Sequence, residues 1–497
     1  MDPLAFFMSW TPVILLSVLA VVLKRPALEM SIYGAVFTLL LVVLYFDTPV
    51  SVALLAGLDG VVTTLPLLLV IFAGILLSSL LMEVGALGRI VDWFMGGVKS
   101  AYHRTVLITL GVGNFMEGAG VIAEPVVAPM LAAAGVPPRG AAALSIVGYA
   151  GLMTLEMAGI IITVLSLVTG LPEAELGLAS AWLSLPAVLI MSAVVPLFLP
   201  PERQRLRRTA LLLGCALVAG MAALGAAAYL SVSISGMTGG LALIIVLVAL
   251  GRRRLALDRV VLRDLAPFGL LLAALLVVNT VPPLKELTFH RLVLQVRLIE
   301  PHTITLRPLF SAYVYLFAAF GLALLLQPQA RRRIDHIWRS GLAKGWRASV
   351  AMALFGAMGQ VIAFSGYSAG FTGLQQQHNL PWILAHGLAT YSGQYYPVLV
   401  PLLGWVGTFL TGYGVASLML FGQLQVQSAA VMGVSATWLA SGLAVGASLG
   451  SISSPFKIAL ATPMCGALGQ EGAILRLTIP LGVAASLVIG VVLWLVV

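Results

Sequence analysis

Four ionisable side chains stand inside stretches that are otherwise apolar: Glu117, Glu124, Glu156 and Lys457. A charge in a bilayer costs a few kcal/mol at least, so acids and bases at such positions are functional by default. Glu117 follows Asn114 and sits against Gly118 and Gly120 at a break in an apolar run, which makes it a candidate proton carrier. The competing reading is a protonated carboxyl that only hydrogen-bonds loosened backbone. Glu124 precedes Pro125, a pairing that suits the N-cap and first residue of a helix over 125–134, where the helix dipole favours an anion. Proton coupling is its second reading. Ser453, Ser454 and Pro455 form a helix-start signature inside an apolar run, and the amide end of such a half-helix attracts anions. Lys457 follows in the first turn, where the dipole opposes a cation, so a compensating negative charge is expected nearby.

The elements that position these residues occur twice. Residues 112–121 recur at 406–415: a shift of 294 positions superposes Val112 on Val406, Gly113 on Gly407, Phe115 on Phe409, Gly118 on Gly412, Gly120 on Gly414 and Val121 on Val415. Thr411 and Tyr413 flank Gly412 in the second copy. A further stretch repeats with a shift of 298, matching Gly135-Val136 to Gly433-Val434, Val147-Gly148 to Val445-Gly446 and Ile160 to Ile458. That register sets Glu156 on Ser454 and Gly159 on Lys457, so Glu156 is the expected partner of Lys457 across a pseudo-twofold axis. The pair is either a structural ion pair or a substrate site in which Lys457 holds a carboxylate and Glu156 is freed or protonated. Paired, glycine-broken apolar segments in corresponding halves point to the binding site of a secondary transporter. Thr411 to Val415 superficially resembles a potassium-channel filter, but the order of residues differs and one copy makes no fourfold pore.

Composition settles the class. The 497 residues are 60% hydrophobic and 9% charged, against about a quarter charged in a soluble domain; mean hydropathy is +1.07. The expected fold is an all-α polytopic membrane protein. The net charge of +9 does not indicate nucleic acid, because the basic clusters Arg203–Arg208, Arg252–Arg254 and Arg331–Arg333 fall between apolar spans and lack stacking aromatics. Cys215 and Cys465 lie inside apolar runs, and the six histidines show no metal-ligand spacing, so neither a metal nor a cofactor is expected. No enzyme chemistry is readable. The first apolar stretch lacks a basic n-region and a small-residue exit, so it is expected to be a retained helix.

Twelve spans are predicted, at 4–23, 30–46, 61–82, 140–168, 179–199, 209–230, 232–250, 264–281, 308–327, 346–365, 436–468 and 474–497. The segments 104–134 and 395–433 are broken by Gly and Pro and suit re-entrant hairpins, tolerable only inside protein or beside water. Of the 27 Lys and Arg, all but Lys285, Arg291, Arg297, Arg307 and the intramembrane Lys457 then fall on one side, the cytoplasmic one. Both termini come out external. The first repeat (1–200) and the second (264–497) run in opposite senses and are joined by a helix pair in 201–263. Broken helices are expected at 140–168 and 436–468, helices along the inner surface at 87–99 and 331–345, and a β-hairpin in the external insert 282–307.

The stretches Phe115–Pro129, Pro137–Leu144, Phe409–Gly412, Leu420–Gln425 and Ile452–Ala459 resemble motifs of the L-lactate permease family, bacterial transporters for lactate and glycolate within a wider ion-transporter group. The resemblance covers most of the length. It implies proton-coupled uptake of a small monocarboxylate across the bacterial inner membrane, with hairpin-bearing cores moving against a scaffold in an elevator-like way, and it leaves a homodimer open. The chain departs from the family at Tyr413–Leu418, where several polar side chains are lost. A family lysine is replaced by Ser451 while Lys457 is new, and Glu124 and Glu156 are additional. The expected partners are a small organic anion, a proton and the lipid bilayer. The anion is assigned to Lys457, Ser453, Ser454, Glu156, Asn114, Gly118, Gly120, Thr411, Gly412 and Tyr413, and the proton to Glu117 and Glu124. The alternatives are another solute, coupling to sodium, or a channel.

Overall fold

The structure, a computed structural model, describes residues 2–23, 25–98, 101–199, 205–251, 258–300 and 302–497. Lys24, Lys99, Arg203 and Arg252 to Arg254 of the basic loops lie outside them. Helix α1 (Pro3–Ser17), capped by Asp2, runs through a π turn to Val22, and α2 (Ala27–Leu44) follows Pro26. The long α3 (Val50–Glu83) leads into the amphipathic α4 (Ala86–Gly96), whose Leu87, Ile90, Val91 and Phe94 face inward at helical spacing. The first broken unit comprises α5 (Ala101–Val106), a π turn, α6 (Gly113–Gly118), α7 (Glu124–Ala133), α8 (Pro138–Ala150) and α9 (Ile160–Thr169). Helix α10 (Glu173–Val194) and the pair α11 (Arg205–Tyr229) and α12 (Ser235–Gly251) come next.

The second half opens with α13 (Arg259–Thr280) and the short α14 (Pro282–Lys285). Strands β1 (Leu294–Ile299) and β2 (His302–Leu306) then pair antiparallel with Leu294 opposite Leu306, so the insert holds the expected hairpin. Helices α15 (Ala312–Leu326), α16 (Pro328–Arg332), α17 (Ile334–Ala363) and α18 (Leu380–Ser392) lead to the second broken unit. That unit is α19 (Tyr396–Thr411), α20 (Gly414–Met432), α21 (Ala436–Gly450) and α22 (Pro455–Ala461), closed by α23 (Glu471–Val496).

Among the described residues ten helices are long and apolar enough to cross a membrane, or eleven if the bent pair α21 and α22 is one span, where twelve were expected. Two expected spans fall short. The stretch 140–168 divides into helices of 13 and 10 residues because Met157, Ala158 and Gly159 take left-handed φ values of 52°, 52° and 79°. Helix α15 has 15 residues. Conversely α20, placed in the second hairpin, has the length and composition of a span. The surface helix expected at 331–345 is largely the first half of α17, and α18 was not foreseen. Helix α3 starts 11 residues before its predicted span because Asp59, which breaks the apolar pattern, is buried and bonded to His302.

Glycines bring the elements into backbone contact. A methyl at Gly356 of α17 would sit 2.8 Å from the carbonyl oxygen of Gly60 on α3 and closer still to the Thr64 methyl, so the two helices cross with their backbones in near contact at this point. Gly148 on α8 abuts the Thr109 backbone and Gly446 on α21 abuts Pro401, the same role in both units. Residues 298 apart also touch: Ser451 Oγ lies 2.7 Å from Met153 Sδ. Thr154 Oγ1 and Ser448 Oγ, 294 apart, lie at 2.5 Å. The β-hairpin packs Ile299 against Ala56 and Phe364.

Candidate functional site

The first unit turns at 119–123 between α6 and α7. Helix α7 begins at Glu124 with Ala123 as N-cap, whose carbonyl accepts the Val127 N–H at 2.8 Å. Glu124 is therefore the first helical residue and not the cap, which frees its carboxyl to point inward. The second unit bends by 48° between α21 and α22. There Ser454 is extended and its Oγ accepts the Lys457 N–H at 3.3 Å, so the serine-proline start forms as read from sequence.

Lys457 reaches across to the first unit. Its Nζ donates to Tyr149 Oη at 2.7 Å and lies 3.4 Å from Glu124 Oε1, while Tyr149 Oη donates to that same carboxylate oxygen at 2.5 Å. The ammonium also stands 4.7 Å from the centre of the Tyr149 ring, a cation–π contact. The expected pairing with Glu156 is not made: Glu124 is the partner, because α7 enters beside α22 and brings its first residue to the lysine. Glu156 is fully buried and neither carboxyl oxygen has a protein partner. Glu117 is buried too, and its Oε1 accepts the Ala123 N–H at 2.7 Å across the turn. Glu117, Glu124, Glu156 and Lys457 form one electrostatic cluster. Three carboxyls share one ammonium, so the cluster is neutral when two of the carboxyls carry protons.

A cavity of about 270 Å³ opens beside this cluster. Of the residues named from sequence, Glu117, Gly120, Glu124, Tyr413 and Lys457 line it; Asn114, Gly118, Glu156, Thr411, Gly412, Ser453 and Ser454 do not. Six of those seven are engaged in the frame, and the seventh, Glu156, is buried without a partner. Asn114 Nδ2 donates to Leu110 O at 2.5 Å and Gly148 O at 3.1 Å, tying the first hairpin to α8 beside Tyr149. Gly118 packs against the backbone of Gly236 and Met237 on α12, and Gly412 under Phe456. The two glycines therefore serve separate contacts and do not meet. Thr411 Oγ1 donates to Gly407 O at 2.7 Å and accepts the Tyr413 N–H at 3.3 Å, closing the turn that presents Tyr413 to the cavity. Ser453 Oγ is spent on Thr478 O at 2.9 Å.

Sequence reading missed Tyr149 and the clamp at the β-hairpin. Tyr149 follows the repeat-matched Gly148 and stands where the other copy has Ala447, a difference that marks it in retrospect. At the β-hairpin, His302 Nδ1 lies 2.6 Å from Asp59 Oδ2 and Nε2 lies 3.0 Å from Leu167 O, so β2 is tied to both α3 and α9. Each ring nitrogen faces an acceptor, which an imidazolium satisfies with two N–H donors. Burial disfavours that charged form, but the Asp59 hydrogen bond and charge and the Leu167 carbonyl outweigh it and raise the His302 pKa above its ordinary value.

Ten or more apolar helices folded around a buried lysine and three buried carboxyls, at one end of an apolar cavity, define a membrane transporter. More particularly, the chain belongs to the L-lactate permease family, whose family model matches residues 5–497. It is similar to the L-lactate permease of Streptococcus iniae, 23% identical over 82% of this chain and 87% of that one. The glycolate permease GlcA of Escherichia coli K12 is 23% identical over 98% of this chain and 95% of its own length. The L-lactate permease of the same strain is 32% identical over a shorter stretch, 29% of this chain and 27% of the relative. The protein is a multi-pass permease and not an enzyme.

Proposed function

We propose that this permease moves a small organic monocarboxylate across the bacterial cytoplasmic membrane together with a proton. The observation that supports it most is the buried Lys457, held by Tyr149 and Glu124 at the cavity edge with Glu117 close by. In the empty state Glu124 neutralises Lys457. An arriving carboxylate replaces Glu124 at the ammonium, and a proton taken up by Glu124 and passed among Glu117 and Glu156 keeps the cluster neutral. Loaded and empty sites then carry the same charge through the bilayer, which ties anion movement to proton movement. Lactate and glycolate, named for the relatives, are the first carboxylates to test.

The same reading takes the two units as inverted repeats, 1–200 and 264–497, joined by 201–263. Contacts between residues 294 and 298 positions apart suit a pseudo-twofold axis running between the units. The cavity shares Ser79 and Met82 with a polar recess at Glu83, Arg333 and His336, which the distribution of basic residues assigns to the cytoplasmic side. Counterflow in proteoliposomes tests the function. Saturable exchange of labelled lactate or another monocarboxylate, accumulated under an inward proton gradient, is the expected result. Accumulation driven only by sodium would replace the proton, and non-saturating flux that follows voltage alone would mean a channel.

A further inference from the structure

The charged corner of the cavity is small and the rest of its wall is apolar. Leu67, Ile71 and Ile75 lie along one face of α3 at four-residue spacing, a stripe of about 12 Å at 1.5 Å per residue. Five methionines, Met82, Met153, Met157, Met352 and Met464, line the same space. Methionine is flexible and polarisable, and adapts to apolar ligands of differing shape, aromatic rings included. The side chains of Ser78 and Ser79 are the other polar groups on the wall, and Ser78 Oγ is already bonded to Ile75 O at 3.0 Å.

The volume points the same way. At about 270 Å³ the cavity approaches the roughly 300 Å³ at which pockets enclose drug-sized ligands. A three-carbon hydroxy acid anchored at Lys457 would leave most of that wall uncovered. Tyr413, whose ring stacks obliquely on Phe456 at 5.0 Å between centres, adds aromatic surface close to the anchor.

We infer that the preferred substrate is an amphipathic monocarboxylate, an acid whose carboxylate meets Lys457 and whose aliphatic tail of about five to seven carbons, or aryl group, fills the methionine-lined cavity. The inference rests on the transport reading above and deepens it. Its physical content is that binding strengthens with apolar surface buried, about fourfold for each added methylene until the cavity is full.

The test is ligand-induced thermal stabilisation of the full chain in lipid nanodiscs, with acetate, butanoate, hexanoate, octanoate, lactate, glycolate, 3-phenyllactate and hexan-1-ol. Apparent affinity is expected to climb from acetate to hexanoate by about two-hundredfold. Phenyllactate should exceed lactate, and hexanol should fall well below hexanoate. Counterflow of labelled hexanoate is expected as well. If lactate and glycolate bind and exchange as well as hexanoate does, the size inference fails and the transport reading stands. If hexanol matches hexanoate, the cavity is a hydrophobic sink and the inference fails. If no acid binds or exchanges, both fall together.

Discussion

The two breaks, at 153–160 and 451–458, use one backbone plan for opposite ends. Each has a short 3₁₀ turn, Met153–Leu155 or Ser451–Ser453, then one extended residue, Glu156 or Ser454, then a new helix. In the second break the extended residue caps the new helix, Pro455 sets the first turn, and no residue needs a positive φ. In the first, Glu156 caps nothing, neither of its oxygens has a protein partner, and three consecutive residues are left-handed, two of them not glycine. Each such non-glycine residue costs about 1 kcal/mol or more. One break is relaxed and carries the lysine; the other is strained and carries an unpartnered acid. On the transport reading proposed above, the relaxed break is the firm grip and the strained one is the part ready to change.

The largest expected effect tests whether the acids of the first unit couple the proton. Glu117→Gln should abolish uptake driven by a pH gradient while sparing part of the exchange between labelled and unlabelled substrate. Proton-driven accumulation at the wild-type rate in that variant sinks the coupling role. Next comes the grip: Lys457→Ala should weaken carboxylate binding by about 2–3 kcal/mol, up to a hundredfold or so, read as lost thermal stabilisation by ligand. Tyr149→Phe, which removes the hydroxyl that links lysine and Glu124, should cost roughly a tenfold loss. If Lys457→Ala binds as wild type does, the lysine is structural and the comparison loses its functional half.

A smaller effect concerns the clamp on α9, the helix that leaves the first break. The raised pKa of His302 means that its contribution is fully present below the unfolded value of about 6.5 and is lost as pH rises through the higher folded value. His302→Gln should therefore lower the unfolding temperature at pH 6 by the worth of a charge-assisted hydrogen bond, about 1.5–3 kcal/mol, and the gap should narrow as pH climbs. A gap that widens with pH contradicts the imidazolium bridge. The smallest effects have opposite signs at matching places. Ala158→Gly relieves a left-handed residue and should stabilise by about 1 kcal/mol. Ser454→Ala removes a cap and should destabilise by about as much. Equal signs in a thermal-unfolding comparison would erase the contrast between the breaks.

Much of this was legible in the sequence. The broken segments, the β-hairpin and the burial of Glu117 and Lys457 could be read because charges and glycines in apolar runs are conspicuous. The partner of Lys457 could not, since symmetry nominates Glu156 while the choice is made by how α7 enters, a matter of tertiary packing. Tyr149 escaped because an aromatic residue in an apolar helix has no distinguishing pattern. Asp59 misled the start of α3 because its neutralising histidine is 243 residues away. The count of spans fell short because α15 has only 15 residues and the expected break in 140–168 leaves two helices of 13 and 10 residues.

The crossing of α3 and α17 at Gly60 and Gly356 works as a bearing. Helices that meet through side chains interlock, ridge into groove, and a change of angle must lift one set out of the other. Here backbone rests on backbone at the crossing point, and beyond it Phe72, Ile75 and Leu76 of α3 seat on Gly341 and Gly345 of α17, so a change of angle pivots at Gly60 and slides those side chains over glycine. From Gly60 to Ile75 the lever is about 22 Å long at 1.5 Å per residue, and a swing of about ten degrees would carry the cavity wall by about 4 Å. On the other side of the fulcrum, one residue away, Asp59 is gripped by His302. A device that holds the short arm of a lever governs the long one, so His302 is in a position to set how wide the cavity stands.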